Sequence, residues 1–238
     1  MYHSIKAIAL PPLFSAVATF SILLGSLMSF SVNASVDSSA DASPADVSSA
    51  NFATAIPAPV ELQGYGAFSQ LNKDWMIMAL YTAVDSNQEM PEIDRLEIKI
   101  ASEKFSNRRF RALWLEAIGI EHGAERIALL EQDLEQFFDM LKGPLLKGDT
   151  LVIERTVGGA ALSVNYHQLA HVSEAFLPMI VQSLVGKHPP TQALKSGLLG
   201  ESSIRDQMNL SIRFERLEPT LPRISEVSKW GNRIIASK

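Results

Sequence analysis

The sequence predicts an α+β domain. Three observations carry this: Arg95 to Ala101 alternate charged and apolar residues as a half-exposed strand does, two amphipathic helical patterns follow, and Gly158-Gly159 joins two strand-like runs as a hairpin turn does. With 238 residues, 47% of them hydrophobic, the chain has enough apolar surface for one sizeable core.

Order is expected to begin near Val60, where Leu62, Tyr65 and Phe68 enter a strand interrupted by Gly64 and Gly66. Trp75 to Ala83 is almost continuously apolar. Trp75, Ile77, Ala79 and Tyr81 share one strand face and Met76, Met78 and Leu80 the other, so this strand is expected to be covered on both sides. After the strand at 95–101, Phe110, Leu113, Trp114, Ala117 and Ile118 mark a helix that stops near Gly123. Ile127, Leu130, Leu134, Phe137, Phe138 and Leu141 mark a second, which stops at Gly143-Pro144. Both helices belong against a sheet.

Thr150 to Thr156 and Ala161 to Tyr166 supply the hairpin strands. Phe176, Leu177, Ile180, Val181 and Leu184 give a third helix with Gly186 as its stop, and a short helix restarts after Pro189-Pro190 and ends at Gly200. Met208 to Phe214 reads as one more strand, and the remainder, with Pro219 and Pro222, as a peripheral tail.

The N-terminus reads as a signal peptide. Lys6 is the basic end, Leu13 to Val32 carry no charge, and Val32-Asn33-Ala34 offer small residues for cleavage after Ala34. The apolar run exceeds the usual length of roughly 7–15 residues, which leaves an uncleaved membrane anchor as the alternative. From Ser35 to about Pro59 the chain is rich in Ser, Ala, Asp and Pro, a flexible linker by composition. The expected organisation is therefore a signal peptide at 1–34, a linker at 35–59, a domain at 60–215 and a tail at 216–238.

The chain contains no cysteine, which excludes a disulfide framework, a lipidated N-terminal cysteine, a thiolate metal site and a cysteine nucleophile. Cleavage removes one lysine and no acid, so 20 basic residues face 26 acidic ones, a formal charge of −6. That balance argues against nucleic-acid binding, which needs a basic stripe to neutralise phosphates. Arg108-Arg109, with Glu103, Glu116 and Glu121 nearby, reads as a solvated helix face.

His167 and His171 have a spacing that could serve a metal on a helix, but they fall in a connecting turn with no third ligand beside them, and no metal or other cofactor is expected. Ser173 reads as a helix cap and Asp149 as a turn residue, not as parts of a hydrolase triad, since no nucleophile elbow is present.

Several stretches together resemble a known family. Gly64-Tyr-Gly66 leads to Trp75-Met-Ile-Met-Ala-Leu-Tyr81; Lys147-Gly-Asp149 precedes a strand; Glu174-Ala-Phe176 opens a helix; and Leu184-Val-Gly-Lys-His-Pro189 runs through Leu194-Lys to Gly197-Leu-Leu-Gly200. Over about residues 60 to 200 the chain is similar to the bacterial, exported chalcone isomerase-like proteins, relatives of plant chalcone isomerases and plant fatty-acid-binding proteins. The resemblance implies a curved antiparallel sheet packed against a layer of helices, a ligand cleft between them, and a periplasmic location.

In the isomerases, the resemblance implies, an arginine near the first strand holds a phenolate while a threonine, a tyrosine and an asparagine steady the developing oxyanion. Here no arginine lies between residues 60 and 80, Met76 stands in the threonine's place, Phe105 in the tyrosine's, and Ala112 or Leu113 in the asparagine's. One lost oxyanion donor typically costs about 2.7–4 kcal/mol of transition-state stabilisation, so isomerase activity is not expected. Met76, Met78, Phe105, Ala112 and Leu113 are then the expected walls of an apolar cleft for a small ligand such as a fatty acid, with Lys73 or Lys99 as the groups available to a carboxylate. Two other readings stay open: a cleft packed shut in a protein-interaction module, and an isomerase whose donors have moved.

Overall fold

The computed structural model describes residues 59–84 and 92–235, with side chains to Gly231. The expected signal peptide, its cleavage point and nearly all of the expected linker lie outside the described residues.

Among the described residues six strands form one open antiparallel sheet in the order β1-β2-β3-β6-β7-β8. These are β1 (Val60–Gln70), β2 (Lys73–Ala83), β3 (Ile93–Ile100), β6 (Thr150–Thr156), β7 (Gly159–Val164) and β8 (His167–Val172). Between β3 and β6 the chain leaves the sheet through β4 (Lys104–Phe105), makes α1 (Asn107–Leu129) and α2 (Glu131–Asp139), and returns through β5 (Leu145–Leu146). The β4–β5 ladder pairs Phe105 with Leu145 and pins the two ends of this excursion together. Then follow α3 (Phe176–Val185), α4 (Gln192–Leu198), α5 (Ile204–Glu215) and α6 (Leu221–Ile235). None of these helices is long and apolar enough to cross a membrane.

Alternation decides which face each strand buries. Met76, Met78 and Leu80 of β2, Leu96, Ile98 and Ile100 of β3, and Leu151 and Ile153 of β6 point into the main core, where α1, α2 and α3 contribute Phe110, Trp114, Phe137, Phe176 and Ile180. Ile77 and Ala79 point the other way and are covered by Phe214 of α5. The doubly apolar strand read from the sequence is therefore covered on both faces. As expected, α1 breaks at Gly123, whose φ of 71° interrupts the helical backbone.

Close packing requires the glycines of β1. A Cβ on Gly64 would lie 2.4 Å from the carbonyl oxygen of Gly197, and one on Gly66 would lie 2.7 Å from that of Leu194, so α4 rests directly on the strand backbone. β1 is an edge strand, and its free backbone is closed by a side chain. The N–H of Tyr65 donates to Gln207 Oε1 at 2.8 Å, and Gln207 Nε2 donates to the Tyr65 carbonyl at 3.2 Å.

Four expectations are corrected. Met208 to Phe214 is helix, not strand: Ser203 caps α5 by accepting from the Asp206 N–H at 3.1 Å, and Leu210 and Phe214, one turn apart, meet the sheet, with Leu217 joining them just past the helix end. The tail is not peripheral, because α6 buries Val227 and Trp230 in the main core and Arg223 against Asp149. His167 and His171 lie on a strand, since Asn165 and Tyr166 adopt positive φ and turn the chain into β8. Four strand residues separate such positions by roughly 13 Å, beyond the reach of one ion. Ser173 is not the cap of α3; its hydroxyl donates to Asp133, and its N–H does so at 3.2 Å.

Candidate ligand cavity

One face of α1 bears Arg109, Ala112, Leu113, Glu116, Ala117 and Ile120, successive members of the i, i+3, i+4 series. Facing them are Phe68 and Gln70 from the end of β1 and the loop His188-Pro189-Pro190 that leaves α3. Together they enclose an open-mouthed cavity of about 320 Å³. Phe68 and Ala117 are buried and Leu113 is half-buried, forming an apolar floor, whereas Gln70, Arg109, Glu116 and His188 are exposed at the rim.

Of the five expected cleft residues, Ala112 and Leu113 line this cavity. Met76, Met78 and Phe105 do not; they are 0%, 0% and 1% exposed and packed within the core. Phe105 is wedged between aromatic rings, with Trp75 at 5.6 Å and Phe110 at 6.2 Å between centroids. These three positions of the expected cleft are thus filled by hydrocarbon, and the open space lies on the face of α1 that carries Ala112 and Leu113.

The cations divide between the two faces of the sheet. Lys99, registered opposite Ile77, lies on the α5 side over the Phe214 ring at 4.6 Å and pairs with Glu218 at 2.8 Å, so it is no part of the cavity. Lys73 stacks on Trp75 with its ammonium 4.7 Å from the ring centre. The guanidinium of Arg109 lies over the same ring at 3.7 Å and projects to the mouth of the cavity. A planar guanidinium on an aromatic face retains its edge donors for an anion. Sequence reasoning passed over Arg109 as part of a solvated face, although its place in the 109/112/113/116/117/120 spacing was legible.

The loop wall is fixed by one carboxylate. Glu121 accepts from the N–H groups of Lys187 at 3.0 Å and His188 at 2.8 Å. Those two bonds, the Lys187 N–H first, hold its carboxyl below its ordinary range. Gly186 makes room for it: a Cβ there would lie 2.2 Å from Glu121 Oε1. Lys195 adds a bond from Nζ to the Gly186 carbonyl at 2.9 Å. The cavity is therefore bounded by a restrained loop, which suits a preformed site.

Among the residues lining the cavity none carries a hydroxyl, and Arg109 is its one guanidinium. Such a lining can enclose a hydrocarbon and offer a cation at one end.

The sequence profile of the family described as chalcone isomerase-like matches residues 42–200. No curated protein matches the chain. Among solved structures, a fatty-acid binding protein of Arabidopsis thaliana is similar, with 17% identity, 64% of this chain and 90% of that chain covered, and a TM-score of 0.46. The chain belongs to the chalcone isomerase-like family.

Proposed function

We propose that this protein is an exported, non-catalytic binder of a small apolar ligand, a medium-length fatty acid being the type, held in the cavity between α1, the end of β1 and the loop at 188–190. The observation that carries the reading is the lining itself: Phe68, Leu113 and Ala117 form a hydrocarbon floor, and the polar groups stand at the rim. At about 320 Å³ the space lies at the lower end of the roughly 300–1,000 Å³ common for small-molecule sites. It suits a short chain better than a long one.

Binding follows from burial alone. Each methylene removed from water contributes about 0.8 kcal/mol, so a chain of about ten carbons gains on the order of 8 kcal/mol before the costs of association. Affinities in the micromolar range or weaker follow. The lining does not favour isomerase chemistry: its one guanidinium, Arg109, stands at the rim, and no hydroxyl in the lining joins it to steady a developing oxyanion over the hydrocarbon floor. Export is supported by the charge-free run from Leu13 to Val32 and the small residues ending at Ala34.

Calorimetric titration of the protein with decanoate tests the reading, with Ala112→Trp as a variant that fills the cavity. Saturable binding that the variant abolishes is expected, together with no loss of chalcone absorbance above the uncatalysed rate. Decanoate binding unaffected by Ala112→Trp would place the ligand elsewhere, and chalcone turnover would reinstate an isomerase.

A further inference from the structure

We propose that Arg109 determines the specificity of this cavity, so that its ligand is an anionic amphiphile whose carboxylate sits on Arg109 and whose chain runs along α1 toward Ile120. The inference rests on the cavity being a ligand site and names the chemistry that the site selects.

The first support is the position of the residue. Arg109 is the third residue of α1, where the positive end of the helix dipole favours an acid and where Glu or Gln would complete the cap begun by Ser106. The first turn contains no acid, and Arg108 precedes Arg109. A side chain that works against its own helix and lines a cavity fits a functional role, because local rules are broken most often at sites.

The second support is that the guanidinium is available. Its face is taken by the Trp75 ring at 3.7 Å, and among the described residues no ion pair engages it. Its fork of N–H donors matches a carboxylate in a bidentate way. Lys73, on the same ring, adds positive potential behind it.

The third is polarity along the cavity. Glu116 stands two turns further along the lining face, so the acidic group of the wall is set apart from Arg109 and an anion is favoured at the Arg109 end. From Arg109 to Ile120 the wall spans eleven helical positions, roughly 16 Å, and Leu113, Ala117 and Ile120 give a chain apolar contact over the last seven of them.

The test compares decanoate with decan-1-ol by titration calorimetry at neutral pH, using the full chain, Arg109→Gln and Arg109→Lys. Decanoate is expected to bind about tenfold tighter than the alcohol. Arg109→Gln should remove that preference by weakening decanoate about tenfold while leaving decan-1-ol unchanged, and Arg109→Lys should retain part of it. Equal affinities for acid and alcohol in the unaltered protein, or a parallel loss for both in Arg109→Gln, would overturn the assignment while leaving the cavity a ligand site. Binding of neither probe would overturn both. Gln completes the cap with Ser106, so the thermal midpoint of Arg109→Gln should not fall.

Discussion

Arg223 Nη2 donates to Asp149 Oδ2 at 2.7 Å, closing a buried ion pair between α6 and the turn that enters β6. The carboxylate is fully buried and takes further bonds from the Leu146 N–H at 2.8 Å and from Asn165 Nδ2 at 2.8 Å. The guanidinium also donates to the Pro144 carbonyl at 2.8 Å. Every lone pair taken out of water thus has a partner, which is the condition under which a buried pair can be tolerated. The pair fixes α6 beside the turn whose strand β5 clamps the base of the α1–α2 excursion. The C-terminal helix therefore belongs to the framework that supports the cavity wall.

Arg223→Met leaves the Asp149 carboxylate buried without its cation and should destabilise the fold by about 3–5 kcal/mol, read as a lower urea midpoint with an unchanged slope. A change under about 1 kcal/mol would mean that α6 is not anchored through this pair.

The sequence made the sheet legible wherever a local period reported a local environment: β2, β3 and the β6–β7 hairpin all follow from alternation or from glycine at the turn. It did not reveal α6, because the evidence for that helix is a partner 74 residues away at Asp149, and local polarity near Pro219 and Pro222 spoke for a loop. Met208 to Phe214 misled for a related reason. One apolar residue in two is close to one in three or four over so short a run, and the capping Ser203 was the deciding signal. In the cavity, Ala112 and Leu113 were accessible from the family resemblance. Arg109 was hidden because a charge on a helix is ordinarily solvated, and Met76, Met78 and Phe105 were assigned to the cleft because a resemblance does not say which side chains fill it.

Two glycine substitutions should move stability in opposite directions. Gly66→Ala places a Cβ 2.7 Å from the Leu194 carbonyl and 2.9 Å from Leu194 Cδ1, and should cost about 1–3 kcal/mol by forcing α4 off β1. Gly119→Ala, in the middle of α1 with nothing within 4 Å of the new Cβ, should stabilise by about 0.5–1 kcal/mol. Chemical denaturation of both variants checks the pair, and a neutral Gly66→Ala would contradict the packing of α4 on the strand.

Glu121 should make the loop wall sensitive to acid. Its carboxyl is held below its ordinary value of 4.5, chiefly by the Lys187 N–H, with further help from the His188 N–H and from the His188 and His122 rings. A depressed folded value means that its stabilisation is complete above 4.5 and is lost as pH falls through that lower value. Hydrogen-exchange protection of the Lys187 and His188 amides should therefore persist to pH 4.5 and decline only below it, whereas Glu121→Gln should lower protection without that acid step. Loss of protection well above pH 4.5 would contradict the clamp.

Export predicts a defined N-terminus. Protein recovered from the periplasmic fraction of its own cells should begin at Ser35, as read by N-terminal sequencing. An intact chain found in the membrane fraction would instead make the first apolar run an anchor.

The most direct test of the account is to identify what the protein carries. Protein purified from its native compartment should be denatured, extracted with organic solvent and analysed by mass spectrometry beside the Ala112→Trp variant prepared in the same way. The account predicts a small acid with an apolar chain in near-equimolar amount from the unaltered protein and none from the variant. An empty extract from the unaltered protein, or the same molecule recovered from both, would contradict it.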